Sequence, residues 1–457
     1  GAAVAQTGLI AFVGLAAPHL VRSVVKTTHG RLIVLASLMG ALRESRHVVR
    51  LVVLIFARAP RQAIRRAIAE SSPDLIGISV RNLDAIGRRR VPRPGGGVHS
   101  FLPDIRTWIR TCRQYSQAPI VLGGPAVSLL PRDAFEALEP DFLLAGDASR
   151  TLPELAERVD REAPWEDLPG LVFREGGEIR VNPPGPWDAP QVSPRYEAFD
   201  LPRYEAAGFS IAVLTKMWPY LRAHGPTPQT GGPVPRIDGP IPMSAMPGPV
   251  PRPIPALLDD LRDLRARFGI RRVFLADSGF NVPMRDANAL CRALCDAGLG
   301  FEWATGLQPG HMDGELADLM RTAGCRVALL AGPGPLQEPL RELDRHLAEL
   351  AATAEPLRAA GVHLVLTVFF GRPGETRETV EQTLALIERV DPGHVQLSAG
   401  IRILPFTLLA EQAKAEGTIQ RDGDCLYPVI YLSPALKDWL PRRLRAAARS
   451  HPSWHVV

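Results

Sequence analysis

Thr215-Lys-Met-Trp-Pro-Tyr-Leu-Arg-Ala-His-Gly225 separates a short apolar run, Ile211-Ala-Val-Leu214, from a stretch dominated by proline. The apolar run reads as a strand. From Pro226 to Pro255 there are eleven prolines in thirty residues, together with Gly231-Gly232. Proline fixes φ and carries no amide hydrogen, so this stretch predicts extended or polyproline segments rather than helix or ladder. It reads equally as a rigid lid or as a disordered insertion.

Outward from that stretch, strand-and-helix units recur. Downstream candidate strands are 272–276, 301–305, 327–330, 364–370 and 395–403; with 211–214 they make six. Upstream, 9–13, 48–56, 74–79, 118–122 and 141–145 are further short apolar runs, with helical spacing at 30–46 and 60–71. Strands spaced by helices argue for parallel sheets, hence an α/β chain. Between the two series, residues 167–173 and 179–181 flank Glu175-Gly-Gly177 as a small hairpin. The domain reading is therefore 1–150, a linker with hairpin at 151–207, a second α/β unit at 208–405, and a C-terminal cap at 406–457.

Composition narrows the class. With 46% hydrophobic and 22% charged residues, 457 residues supply proper cores and not disorder. The net charge of +5 is spread over scattered arginines without a basic, aromatic-lined face, which argues against nucleic acid as a partner. No run is long enough to span a membrane. Five cysteines, Cys112, Cys291, Cys295, Cys325 and Cys425, lack the spacing of a disulfide framework and predict a reducing, cytoplasmic setting. Cys291 and Cys295 are spaced as core residues of one helix.

Motifs stand at the ends of the predicted strands. In the first half they are Gly77-Ile-Ser-Val-Arg-Asn-Leu-Asp84, Leu122-Gly-Gly-Pro-Ala-Val-Ser128 and Ala145-Gly-Asp-Ala148. In the second half they are Phe274-Leu-Ala-Asp-Ser-Gly-Phe-Asn281, Gly371-Arg-Pro-Gly-Glu-Thr376 and Gly400-Ile-Arg-Ile-Leu-Pro405. Together they resemble the cobalamin-dependent radical S-adenosylmethionine enzymes. That resemblance implies an N-terminal Rossmann-like cobalamin-binding domain, a (β/α)6 partial TIM barrel and a C-terminal helical cap. It implies cobalamin contacts at Ser79, Arg81, Asn82, Gly123, Gly124, Ser128, Gly146 and Asp147, with Arg81 near the lower face of the corrin. It also implies S-adenosylmethionine contacts at Asp277, Ser278, Gln308 and Arg402. Arg46, Val53 and the 330–335 run depart from the family pattern.

The opening stretch departs most. Members of the family carry Cys-x3-Cys-x2-Cys there to hold a [4Fe–4S] cluster; Trp218, Arg222 and Gly225 occupy those positions here, and no metal ligand is expected from them. His224 alone does not make an iron site. The sequence thus predicts a divergent member that uses cobalamin and S-adenosylmethionine without the cluster. Its expected reaction is polar methyl or alkyl transfer to a small molecule of natural-product biosynthesis, with a reductase keeping cobalt reduced. Two alternatives stay open: rearrangement or cyclisation of S-adenosylmethionine itself, and a non-catalytic homologue acting as a binding partner. Tyr220 and Asp277 are the general-base candidates.

Overall fold

The computed structural model describes residues 9–14, 42, 47–85, 99–146, 148–183, 196–208, 210–217, 250–277, 279–332 and 343–457. Two seven-stranded sheets organise it. The first contains β1 (Leu9–Gly14), β2 (Val48–Val53), β3 (Leu75–Ser79), β4 (Ile120–Gly123), β5 (Phe142–Leu144), β6 (Leu171–Glu175) and β7 (Glu178–Val181). Its order is β2-β1-β3-β4-β5-β6-β7, parallel through β5 and antiparallel from β5 to β7. The hairpin expected in the linker is therefore the edge of this sheet. Gly176 and Gly177, at φ 57° and 91°, form its two-residue turn, a geometry that matches the strands' twist.

Side chains alternate across the central strands as period two demands. Ile76, Ile78, Ile120, Leu122 and Leu143 share a core with helices Pro60–Ser71 and Leu102–Tyr115. Leu75, Val121, Phe142, Leu144 and Phe173 face the other way and join a core that continues into the second unit.

The second sheet runs β8 (Ile211–Val213), β9 (Arg272–Leu275), β10 (Glu302–Leu307), β11 (Cys325–Ala331), β12 (His363–Phe370), β13 (His394–Ala399) and β14 (Trp454–Val456), all parallel. The expected six strands are present, and a seventh from the C-terminus extends them. The predicted strand 395–403 is divided: Gly400 at φ 108° turns the chain, and Ile401–Arg402 pairs instead with Ile430–Tyr431. A Cβ at Gly400 would lie 2.5 Å from Ile430, so the turn admits only glycine.

The C-terminal part does not form one cap. Ile401, Ile403, Leu409, Ala413, Leu426 and Tyr431 are buried in the core of the first unit. Helix Leu440–Ser450 and β14 pack on the second sheet instead.

At the amino-terminal edge of the second sheet the His394 and His455 rings lie 4.6 Å apart. Burial, then the neighbouring His455 and His363, push the His394 pKa down to about 4. An unfolded histidine takes up its proton near pH 6.5, and the native one waits until about 4, so stability falls as pH falls through that window. Thermal unfolding followed from pH 7 to 4.5 should show this loss, and His394→Gln should flatten it.

Candidate functional site

The carboxyl edges of both sheets carry the strand-end motifs. In the first sheet, Val53, Gly14, Ser79, Gly123 and Leu144 stand in one register row across β2, β1, β3, β4 and β5. Gly14, Ser79 and Gly123 put three small residues side by side at the point where strand order reverses. In open α/β sheets that is where ligands lie against the backbone. A Cβ at Gly123 would meet only Leu144 O at 3.8 Å, so its glycine character is not demanded by the protein's own packing. Gly124 differs: at φ 106°, a Cβ would sit 2.5 Å from Val80 O.

Ser128 is buried and its hydroxyl is committed. It donates to Gly124 O at 2.9 Å and accepts from Gly146 N at 3.0 Å, tying the ends of β4 and β5 together. This differs from the expected hydrogen bond to a ligand; the residue shapes the edge instead. Arg81, two residues beyond β3, is half-buried, and burial pushes its pKa down. Among the described residues its guanidinium has no partner. Asn82 sits beside it, and Asp147 lies outside the described residues, as do Ser278, Tyr220, Trp218, Arg222 and Gly225.

In the second sheet the first unit of the motif set is a lock. Lys216 donates to the carbonyls of Gly279 (2.8 Å), Phe280 (2.9 Å) and Val282 (2.6 Å), using its three ammonium hydrogens, and stands 3.4 Å from Asp277. Asp277 accepts from Thr215 Oγ1 at 2.8 Å and from Gly279 N at 3.0 Å. Burial pushes the Lys216 pKa down while Asp277 pulls it up. Both Asp277 oxygens are thus spent on the protein. These bonds give Asp277 a positioning role at the strand end.

The lock fixes the root of the proline-rich segment. Lys216–Met217 pairs antiparallel with Val250–Pro251, so residues 218–249 leave and return at one point. Regular structure thus begins before Pro255, contrary to the proline-based expectation. Helix Ile254–Phe268 then starts with Pro255 in its first turn, where a missing amide hydrogen costs nothing. Arg252 adds a buried ion pair with Asp260 at 2.7 Å and a bond to Leu214 O.

Asn281 holds the next strand end, donating to the carbonyls of Gln308 and His311 and accepting from Gln308 N. The Gln308 side chain is left half-exposed at the edge. Glu375 is buried and accepts from the Gly371 and Arg372 amides; burial raises its pKa, and Arg372 opposes that.

Arg402 joins the two edges. Its Nε donates to Asp84 Oδ2 at 2.7 Å, and its remaining nitrogens bond the carbonyls of Ile403 and Cys425. It therefore binds the first unit. Large apolar side chains buried nearby contribute roughly 1.5–3 kcal/mol each, so they hold the units together and the ion pair sets their register. Arg402→Ala should cost about 1–3 kcal/mol in urea unfolding, because Asp84 loses its partner.

The thiols do not fit a cluster. Cys112 and Cys291 are buried with pKa pushed up to about 12, Cys425 to about 11, and burial raises Cys325 as well. Buried, protonated thiols are packing residues. Among the described residues no group of three or more histidine, cysteine or acidic side chains could hold a metal ion. No helix there is long and apolar enough to cross a membrane.

With that geometry in place, known proteins can be set beside it. The structure of the radical S-adenosylmethionine methyltransferase TsrM from Kitasatospora setae, with cobalamin and a [4Fe–4S] cluster bound, superposes with a TM-score of 0.75. The match covers 99% of this chain and 91% of that one at 18% identity. The two chains share a fold. OxsB, a cobalamin-dependent S-adenosylmethionine radical enzyme, matches with a TM-score of 0.61 over 98% of this chain and 62% of its own. In sequence, an uncharacterized methyltransferase of Pyrococcus horikoshii is 21% identical over 93% of this chain and 88% of its own length. The tryptophan 2-C-methyltransferase of Streptomyces laurentii is 24% identical over 77% of this chain and 66% of its own. Residues 1–44 match the FecCD transport family, a range that contains β1 and ends before β2.

Sequence reasoning missed Lys216 and Asp84 as positioning groups. The signal was present: a lysine directly after a strand, and an acid closing the first motif.

Proposed function

We propose that this protein is a methyltransferase that binds cobalamin at the carboxyl edge of the first sheet and S-adenosylmethionine at the carboxyl edge of the second. The observation that carries this reading is the Arg402–Asp84 contact, which sets the two ligand-type edges against one another. The likeness to TsrM and the methyltransferase relatives supports it.

The residues present fit cobalamin. The Gly14–Ser79–Gly123 row puts three small residues at the edge, and Arg81, without a partner among the described residues, would offer the ligand a cation. A guanidinium has no lone pair to give, so Arg81 would offer bound cobalamin charge and hydrogen bonds and not a metal ligand. Bound cobalamin would supply a reduced metal centre able to accept a methyl group from a sulfonium. The protein's task is then alignment: Asp277, Lys216 and Asn281 fix the strand ends that present the sulfonium, and Arg402 fixes their distance from the first sheet. Proximity of this kind contributes up to about 7–11 kcal/mol.

The reading includes chemistry without a cluster. Trp218, Arg222 and Gly225 offer no thiolate, and four of the five cysteines, Cys112, Cys291, Cys325 and Cys425, are buried elsewhere. Incubation of the cobalamin-loaded protein with S-adenosylmethionine bearing a labelled methyl group tests the reading. Transfer of label out of S-adenosylmethionine supports it; failure of the protein to retain cobalamin on loading, or intact S-adenosylmethionine after incubation of the reduced, loaded protein, overturns it.

A further inference from the structure

Helices Pro60–Ser71 and Leu102–Tyr115 pack side by side on one face of the first sheet, burying Ile64, Ile68, Ile105 and Ile109. Between their outer sides lies a cleft of about 340 Å³ lined chiefly by Arg61, Arg65, Arg110, Gln62, Gln114 and Tyr115.

The arginines of these two helices divide into two groups. Those outside the cleft have protein partners: Arg66 lies 3.9 Å from Glu70, Arg106 donates to Ala137 O at 2.8 Å, and Arg113 donates to Glu139 O and pairs with Asp141. Among the described residues, Arg61, Arg65 and Arg110 have none, and no acid lines the cleft. Glu70, the one acid of the first helix, is taken by Arg50 and Arg66.

The other polar groups sharpen the picture. The threonine hydroxyls beside the cleft, Thr107 and Thr111, donate back into their own helix. The hydrogens left facing the space come from guanidinium and carboxamide groups. A cleft rich in donors and free of carboxylates, with three guanidinium groups that have no partner among the described residues, matches an oxyanion carrying at least two charges, which planar N–H forks bind bidentately. The Tyr115 ring, 43% exposed at the rim, provides a flat apolar platform beside them. The volume is at the small end of ligand pockets, suited to a metabolite and not to a macromolecule.

We propose that this cleft is a second ligand site, for a small phosphorylated anion whose phosphate or pyrophosphate group is held by Arg61, Arg65 and Arg110. The proposal is independent of the strand-end site and of its chemistry.

The test is calorimetric titration of the full chain with inorganic phosphate, pyrophosphate and ADP, at ionic strength held constant with sodium chloride. Saturable binding of pyrophosphate, at least tenfold weaker in R61Q/R65Q/R110Q with an unchanged circular dichroism spectrum, is the expected result. R110Q alone should weaken it several-fold, which guards against a triple variant that misfolds. Tighter binding of ADP, lost in Tyr115→Ala, would identify a nucleotide as the source; equal binding would identify the free anion. Heats that never saturate, or that are unchanged in the arginine variants, would overturn the proposal.

Discussion

Replacing Lys216 by methionine should lower the unfolding free energy by about 3–5 kcal/mol, because Asp277 is left as a buried charge without its cation. The two side chains are 5% and 0% exposed, so solvent cannot compensate. Three carbonyls, of Gly279, Phe280 and Val282, would lose their donor in the same step. Urea unfolding measures the loss. Asp277→Asn should cost less, since Lys216 keeps its three carbonyl acceptors and the amide oxygen still accepts from one of the two donors, Thr215 or Gly279. Hydrogen exchange in Lys216→Met should rise at Met217, at Val250 and at Arg252, whose amide bonds Thr215 O at 2.9 Å where the ladder closes the proline-rich segment. A stability change below about 1 kcal/mol, the range of an exposed ion pair, would contradict the lock.

The second large effect separates two adjacent glycines. Gly124→Ala should destabilise the first unit by about 2–6 kcal/mol, the sum of strain at positive φ and a forced backbone shift. Its new Cβ would lie 2.5 Å from Val80 O and 3.0 Å from Val80 C. Gly123→Ala should leave thermal unfolding almost unchanged, since its Cβ meets nothing closer than 3.8 Å. A methyl there would nevertheless stand in the row where cobalamin is proposed to lie. Absorbance titration with cobalamin should therefore show weakened binding in a well-folded Gly123→Ala protein. Equal behaviour of the two variants would remove the distinction between a packing glycine and a ligand glycine.

Much of the architecture was legible because buried parallel strands are short apolar runs ending in small residues. All five upstream runs and all six downstream runs became strands within a few residues of their predicted bounds. The run at Leu9–Gly14 became a central strand although residues 1–44 match a transport family, as local apolar pattern alone would direct. Other features were hidden because they depend on tertiary partners. Strand β14 exists only by pairing with β13, and the division at Gly400 follows from the approach of Ile430. Within the site, residue types marked the edge correctly but not each role. Asp277, Ser128 and Arg402 stand at the motif positions, yet each spends its polar atoms on other protein groups. A motif reports which residues are required; only the hydrogen-bond inventory separates those that hold a ligand from those that hold the strand ends.

The central claim, cobalamin chemistry on this fold without a cluster, is tested most directly by metal analysis with an ultraviolet–visible spectrum. The protein is first reconstituted anaerobically with iron, sulfide and cobalamin. Stoichiometric cobalt with a bound-corrin spectrum and no iron is the predicted result. Cluster-level iron with sulfide absorption would contradict it, as would the absence of both metals.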